Sequence, residues 1–155
     1  MENNIIFTEL QIDEINQYSN IINNVFDEFV GKDYSELGNK TFKDFIDPKN
    51  ILERYNKGMH NYYVAKNNKE IIGVLKIKNL DHISLFFVKK EFHGQSIGKK
   101  LIKKYLSTLD KKIIKIVTVN SSIYAEKIYS KLGFKKINEI QEKNGIKYIP
   151  MEYKV

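Results

Sequence analysis

The sequence contains no cysteine. That absence excludes a disulfide framework and thiolate metal sites, and it fits a reducing cytosol, so we expect a cytoplasmic protein. The chain also lacks an apolar run that approaches the ~18 residues of a membrane span, and its start lacks the basic and apolar segments of a signal peptide. Its histidines, His60, His82 and His93, lack the spacing of metal ligands, so we expect no metal site.

Charge of one sign predominates, since 26 lysine and arginine residues outnumber 19 acidic residues and give a net charge of +7. This excess either attracts an anionic partner, such as nucleic acid or a phosphorylated cofactor, or reflects lysines spread over a solvated surface. Six lysines surround one glycine-containing loop: Lys89, Lys90, Lys99, Lys100, Lys103 and Lys104. The chain has no helix-turn-helix signature and no aromatic-basic strand motif, so we expect no nucleic-acid partner.

The length of 155 residues predicts one domain spanning residues 1–155. Apolar periodicity predicts helices at 13–29, 97–109 and 125–132, with two short helical pieces at 41–46 and 48–55. Strands are predicted at 4–8, 62–66, 71–77, 82–88, 113–119, 135–143 and 146–153. The order β-α-α-β-β-β-α-β-α-β-β predicts an α/β fold, with a central mixed sheet of about seven strands flanked by helices.

Four local patterns sharpen this prediction. Residues 33–39 are polar and predict a loop, whereas the apolar run 113–119 predicts a strand covered on both faces. Asn144-Gly145 is the strongest short signal for a hairpin turn. Pro150 predicts that the last strand lies at an edge of the sheet or is interrupted there.

The predicted strand 82–88 leads into a loop of small residues, which opens directly into a basic, amphipathic helix. This order presents free backbone N–H groups and the positive end of a helix dipole to a phosphate-bearing ligand. Gly94 and Gly98 keep the backbone accessible and permit positive φ, whereas Ser96 is less permissive. The sequence therefore predicts a phosphate site at residues 93–99.

Two segments resemble the GNAT superfamily of acyl-CoA-dependent N-acetyltransferases. Residues 93–98 are similar to its cofactor signature, Gln/Arg-x-x-Gly-x-Gly/Ala, although His93 replaces Gln or Arg and Ser96 replaces the middle Gly. Residues 120–134 resemble the family's Ala-x-x-x-Tyr-x-Lys-Leu-Gly-Phe segment. The ending at 144–152 is familiar from bacterial members, and the element order matches the family fold across essentially the whole chain.

The resemblance implies an acyltransferase that transfers an acetyl group from acetyl-CoA (coenzyme A) to a primary amine by direct attack in a ternary complex. The implied cofactor-binding residues are Phe87, Val88, His93, Gly94, Gln95, Ser96, Ile97, Gly98, Lys99, Asn120 and Tyr129. Among these, Val88 supplies a main-chain N–H to the developing oxyanion, and Tyr129 protonates the departing sulfur; Tyr129 as a core aromatic is the alternative. The implied partners are acetyl-CoA and an amine acceptor, with the protein a monomer or a homodimer.

The general base is not evident, because the strand 82–88 contains no carboxylate. Within it, His82 and Ser84 share one face and either order a water molecule or are exposed polar residues. Asp27 and Glu28, late in the first long helix, are candidate acceptor-site residues, with a solvated helix face as the alternative. Tyr34 is a candidate wall of the acceptor pocket; it equally suits the core.

Two further functions remain open from the sequence. A non-catalytic acyl-CoA-binding domain of the same fold, acting as a sensor or assembly element, would explain the missing strand carboxylate and the altered loop. A basic nucleic-acid-binding module would explain the net charge of +7, but no motif supports it. The acceptor itself stays open between a protein amine and a small amine.

Overall fold

The computed structural model describes residues 4–58 and 60–155. The described strands are β1 (Ile5–Glu9), β2 (His60–Asn67), β3 (Glu70–Lys78), β4 (His82–Val88), β5 (Ile116–Ser121), β6 (Lys135–Lys136), β7 (Gln141–Lys143) and β8 (Ile146–Lys154). The described helices are α1 (Ile15–Phe29), α2 (Glu36–Phe45), α3 (Pro48–Lys57), α4 (Ile97–Ser107) and α5 (Glu126–Lys131). The predicted mixed α/β fold is confirmed. Among the described residues, every helix is too short or too polar to span a membrane.

The sheet has the strand order β1-β2-β3-β4-β5-β8-β6, and β7 pairs with the other part of β8. Neighbouring strands are antiparallel except for β4 and β5, which run parallel. The parallel ladder contains only the pairs His82–Thr118 and Ile83–Val119. Beyond these pairs the remaining length of β4 is not bonded to β5, so the sheet is split at its centre.

Two apolar cores flank the sheet. On one face, α1, α2 and α3 pack through buried side chains such as Tyr18, Phe26 and Phe42 against β2, β3 and β4. On the other face, α4 and α5 pack through Leu101 and Tyr129. Burying this apolar surface holds the helices onto the sheet, and it fixes the helix ends near the split.

One lysine is buried in the first of these cores. Lys76 on β3 is 1% exposed, and its Nζ lies 4.7 Å from the ring centroid of Phe45 and 5.8 Å from that of Tyr62. Burial, followed by the nearby charges of Arg54 and Lys78, lowers the pKa of Lys76 to about 8. The two aromatic faces offer this ammonium only partial compensation for its lost hydration.

Three local predictions were wrong. Residues 33–39 do not form one polar loop, because the Ser35 hydroxyl accepts a bond from the Gly38 N–H and starts α2 at Glu36. The strand β5 begins at Ile116, since the N–H groups of residues 113 and 114 both bond to Asp110 O in a turn, and Ile113 is 72% exposed. The third error concerns the last strand.

β8 is neither an edge strand nor interrupted at Pro150. On one side Pro150 faces Asn120 of β5. On the other side β6 pairs with residues 151–152 and β7 with residues 146–148, so Pro150 lies between two short strands. The missing N–H of proline is tolerated because no ladder requires it there. The predicted strand 135–143 is accordingly broken into β6 and β7, which gives eight strands among the described residues instead of about seven.

Candidate active site

A cavity of about 680 Å³ opens where β4 and β5 separate. Its walls are Ser84–Val88 of β4, Val119 and Asn120 of β5, the loop after β4, and the segment containing α5. The α1–α2 side contributes Val25, Val30, Tyr34 and Phe42. The cavity therefore runs through the split in the sheet, from the loop of small residues to the α1–α2 face.

Every second residue of β4 directs its main-chain N–H and C=O groups into this cavity. The Lys89 N–H donates to Ile72 O of β3 at 2.8 Å. Since N–H and C=O groups of successive strand residues point to opposite sides, Phe87 also directs its main chain to β3, whereas Val88 and Phe86 direct theirs into the split. All three residues line the cavity. The Phe86 main-chain groups and the Val88 N–H are thus available where a second strand would otherwise pair, whereas the Val88 carbonyl accepts from His93 Nε2.

Two residues of the loop after β4 have a left-handed backbone conformation. Gly94 has φ +80° and a Cβ there would meet no atom within 4 Å, whereas Ser96 has φ +62° despite its side chain. Gly98 lies inside α4 and has no positive φ; a Cβ on it would come within 2.5 Å of the Phe86 ring. Of the two predicted roles, positive φ thus applies to Gly94, and Gly98 allows α4 to approach β4.

The first turn of α4 leaves N–H groups without partners inside the helix, directed at the cavity end lined by Ser96, Gly98 and Lys99. Two other residues of the predicted phosphate loop do not line the cavity. Ile97 is buried beneath the loop at 2% exposure, and Gln95 is exposed with its side chain directed at Glu91 O, 3.4 Å away.

His93 connects the loop to the end of β4. Its Nε2 lies 2.7 Å from the Val88 carbonyl oxygen, and its ring centroid lies 5.4 Å from that of Phe29 on α1. Phe29 also stacks on Tyr124, with ring centroids 4.9 Å apart. These contacts bring α1, the loop and the segment before α5 together at one mouth of the cavity.

Tyr129 lines the cavity from α5 and is 3% exposed. Its ring packs against Phe86 and Phe134, with centroids 5.5 and 5.3 Å away. Burial raises the pKa of Tyr129 far above its ordinary value, so the phenol stays protonated at neutral and mildly alkaline pH. The protonated phenol therefore offers an O–H hydrogen-bond donor in the cavity wall, and its ring also contributes to the core.

Three of the predicted acceptor-site residues lie near the split, and two of these line the cavity. Tyr34 and Ser84 line it, and burial, with a smaller effect from Asp33, raises the pKa of Tyr34 to about 12. His82 does not line it; its Nδ1 lies 2.8 Å from Thr118 Oγ1 at the closed end of the split. Burial and the nearby Lys78 lower the pKa of His82, which favours the neutral form of its ring.

The two predicted acidic residues lie outside the cavity. The Asp27 carboxylate is 2.5 Å from Lys43 Nζ, and the Glu28 carboxylate is 2.6 Å from Lys90 Nζ. Neither is a lining residue, and no other aspartate or glutamate of residues 4–58 and 60–155 lines the cavity. In the same part of the chain, no group of three or more His, Asp or Glu side chains is placed to hold a metal ion.

Several loop lysines are already engaged. Lys89 pairs with Glu70, Lys90 pairs with Glu28, and Lys104 donates to Phe7 O. Lys99 is the member of the predicted cluster that lines the cavity.

Several residues that line the cavity were not predicted from the sequence. Tyr124 and Ile128 line the cavity and belong to the segment 120–134, which resembles a family signature. Their closeness in sequence to Tyr129 could therefore have indicated that they line the same site. Phe42, Val25 and Val30 gave no signal, because their contribution depends on how α1 and α2 pack over the split.

Comparison with known families identifies this architecture. A family model described as an acetyltransferase (GNAT) domain matches residues 30–155, most of the chain. Comparison with curated proteins found no match.

Solved structures share the fold over nearly their whole length. A PaiA N-acetyltransferase from Thermoplasma acidophilum, in complex with coenzyme A, has a TM-score of 0.82 at 18% identity and covers 100% of both chains. A GCN5-related N-acetyltransferase from Rhodopseudomonas palustris has a TM-score of 0.82 at 18% identity, with 97% of this chain and 95% of that chain covered. An acetyltransferase of the GNAT family from Staphylococcus aureus Mu50 has a TM-score of 0.75 at 21% identity, with 97% and 98% covered.

Proposed function

The chain belongs to the GNAT acetyltransferase family, and we propose from this premise that it transfers an acetyl group from acetyl-CoA to a primary amine. One observation carries the proposal: the split between β4 and β5 holds a cavity with a phosphate-type loop at one end and the protonated phenol of Tyr129 in its wall. We further propose that residues 1–155 act as one domain in the cytoplasm, without a nucleic-acid partner.

The cavity suits coenzyme A chemically. The N–H groups at the start of α4, with Ser96 and Lys99 beside them, would hold the pyrophosphate. The cavity-facing main-chain groups of Phe86 would bond the pantetheine amides as an added strand does, with Phe87 packing alongside. Asn120, on the opposite wall, would bond the same arm.

When bound, acetyl-CoA supplies a thioester whose carbonyl carbon forms a C–N bond with the amine while its C–S bond breaks. The Val88 N–H, which faces the split, stabilises the negative charge that develops on the carbonyl oxygen. Tyr129 donates its phenolic proton to the sulfur, and solvent then reprotonates the phenolate.

The amine loses its own proton to water held in the cavity. No carboxylate of the described residues lines the cavity, and the Tyr34 pKa of about 12 keeps that phenol protonated. Ser84 lines the cavity, and its hydroxyl would order this water. The pH dependence of kcat/KM should therefore follow the pKa of the amine substrate itself.

Tyr129→Phe tests the assignment of the acid. Removing the hydroxyl should lower kcat by about 100-fold, the lower end of the range for general acids, while changing acetyl-CoA affinity by less than about threefold. Thiol release gives kcat, and calorimetry gives the affinity. Tyr105→Phe is the matched control, because Tyr105 is a buried tyrosine outside the cavity whose hydroxyl donates to Leu80 O. Unchanged turnover in Tyr129→Phe would remove Tyr129 from the mechanism.

The cavity's lack of a carboxylate also favours a second function, a non-catalytic acyl-CoA-binding domain. This function predicts calorimetric binding of acetyl-CoA without thiol release for any amine in a broad panel. Absence of binding at millimolar acetyl-CoA would argue against both functions.

A further inference from the structure

We propose that the acceptor is a monoamine whose amino group is attached to an uncharged apolar body, with an arylalkylamine as the best fit. This inference rests on the proposed acetyl transfer and adds the acceptor's chemical class. It comes from the part of the cavity that α1, α2 and the segment between them line.

Aromatic side chains form most of this wall. Phe42 lies between Tyr34 and Phe87, with ring centroids 6.4 and 6.1 Å away. Val25 and Val30 complete the wall, and all five residues line the cavity. Such a surface binds a flat apolar body through ring contacts and loss of apolar area to water.

Among the described residues no charged side chain lines this wall, although the Asp33 carboxylate, which is not a lining residue, acts on the neighbouring Tyr34 hydroxyl. The cationic lining residues, Lys99 and Lys131, belong to α4 and α5 on the opposite face of the sheet. The acidic residues at the end of α1, Asp27 and Glu28, are paired with Lys43 and Lys90 outside the cavity. An acceptor therefore finds no partner here for a second ammonium or for a carboxylate.

Contacts with neighbouring elements anchor this wall. Phe29 stacks on Tyr124, and Glu28 binds Lys90. The start of α2, next to Tyr34, is fixed by the Ser35 N–H, which donates to Gly145 O at 3.0 Å. A cavity of about 680 Å³ that also holds an acetyl-pantetheine arm leaves room for a small amine.

Charge discriminates among small amines of equal size. A second ammonium would leave water for an apolar wall without a carboxylate, which is costly unless the group is paired. The net charge of +7 adds a general repulsion toward polycations. A terminal methyl or phenyl group gains contact with the same wall.

Matched pairs of amines test this class with the wild-type protein. Pentylamine and 1,4-diaminobutane differ mainly by a methyl in place of an ammonium, and 2-phenylethylamine and phenylalanine differ by a carboxylate. We expect kcat/KM to be about tenfold higher or more for the uncharged-body member of each pair. Spermidine should be a poorer substrate than either monoamine.

Tyr34→Glu should alter this preference because it places a carboxylate in the wall. The ratio of kcat/KM for 1,4-diaminobutane over pentylamine should rise about tenfold or more. Leu37→Glu is the matched control, since it adds the same charge at an exposed position nearby, outside the cavity. A melting curve verifies that both variants are folded, and the wild-type amine pairs do not depend on either.

The outcomes separate this inference from the proposed function. Preference for the diamine, spermidine or phenylalanine, with thiol release intact, would overturn the acceptor class and leave acetyl transfer standing. Acetyl-CoA binding without thiol release for any amine would instead overturn acetyl transfer. An equal ratio in Tyr34→Glu and Leu37→Glu would show that this wall does not contact the acceptor.

Discussion

At the scale of single residues, Ser96 carries the clearest local strain beside the cavity. It has φ +62°, a conformation that costs a residue with a side chain roughly 1 kcal/mol relative to glycine. The strain is tolerated because Ser96 must turn the chain from the loop into α4, where its carbonyl accepts from the Lys100 N–H at 3.0 Å.

Ser96→Gly should therefore stabilise the protein by about 0.5–1 kcal/mol, because glycine adopts this φ without a steric penalty; its greater freedom when unfolded offsets part of the gain. Urea denaturation gives the free energy of unfolding. Ser96→Ala serves as the control, since it removes the hydroxyl but keeps Cβ and should give no gain. A less stable Ser96→Gly would show that the serine side chain is worth more than the strain.

The role of a residue could be predicted from the sequence when its cause lies in neighbouring residues, and not when it lies in a distant element. The left-handed turn at Gly94 was predictable, because glycine next to a helix start is a local signal. The packing role of Gly98 was not, because the Phe86 ring that excludes a Cβ belongs to another strand. The pairing of Asp27 and Glu28 with lysines was likewise hidden, since Lys90 lies far along the chain.

At the scale of elements, the hairpin between β7 and β8 positions α2. Asn144 and Gly145 both have positive φ, which confirms the predicted turn. The tip then contacts the start of α2 so closely that a Cβ on Gly145 would lie 1.9 Å from Ser35 Oγ and 2.7 Å from Gly38 N. Because Tyr34 precedes Ser35, the hairpin also fixes one wall of the cavity.

Gly145→Ala should force the tip away from α2. We expect a loss of about 1–3 kcal/mol in stability and a higher KM for the amine, with little change in KM for acetyl-CoA. Gly58→Ala is the matched control, because Gly58 has a similar φ of +72° but no atom within 4 Å of its Cβ position. Equal effects of the two substitutions on amine KM would contradict a positioning role for the hairpin.

Elements with strong periodicity were predicted well, and those defined by tertiary contacts were not. The bounds of β4 were correct because an apolar strand ends at a loop with clear composition. The start of α2 was missed although Ser35 is a local cap that accepts from the Gly38 N–H, because the surrounding residues are polar; the contact of Ser35 with Gly145, about 110 residues later, gave no local signal. The break between β6 and β7 depends on how both short strands share β8.

At the scale of the whole molecule, the buried charge of Lys76 lowers stability at neutral pH. The pKa is about 8 in the folded protein and 10.5 in an unperturbed lysine. Below pH 8 the folded state must keep the buried ammonium, so the penalty is complete. Between pH 8 and 10.5 the unfolded state binds more protons than the folded state, and the penalty disappears as pH rises.

Lys76→Met should therefore raise the free energy of unfolding at pH 7 by about 1–3 kcal/mol. The gain should shrink between pH 8 and 10.5, where the wild-type lysine loses its charge. Urea denaturation at pH 7 and pH 10 measures both effects. Lys78→Met, at an exposed position on the same strand, should change stability by less than about 0.5 kcal/mol. A gain independent of pH would show that packing, and not charge, is responsible.

The split also leaves the described sheet weakly joined at its centre. β1–β4 form one antiparallel half and β5–β8 another, and two residue pairs join them, while a core shared by both halves packs over one face. Because few ladder bonds cross this junction, amide hydrogens beside the split should exchange through local opening and not only through global unfolding. A molecule that bound both walls would suppress that opening by mass action. Protection of the β4 and β5 amides against exchange should therefore report whether the cavity is occupied.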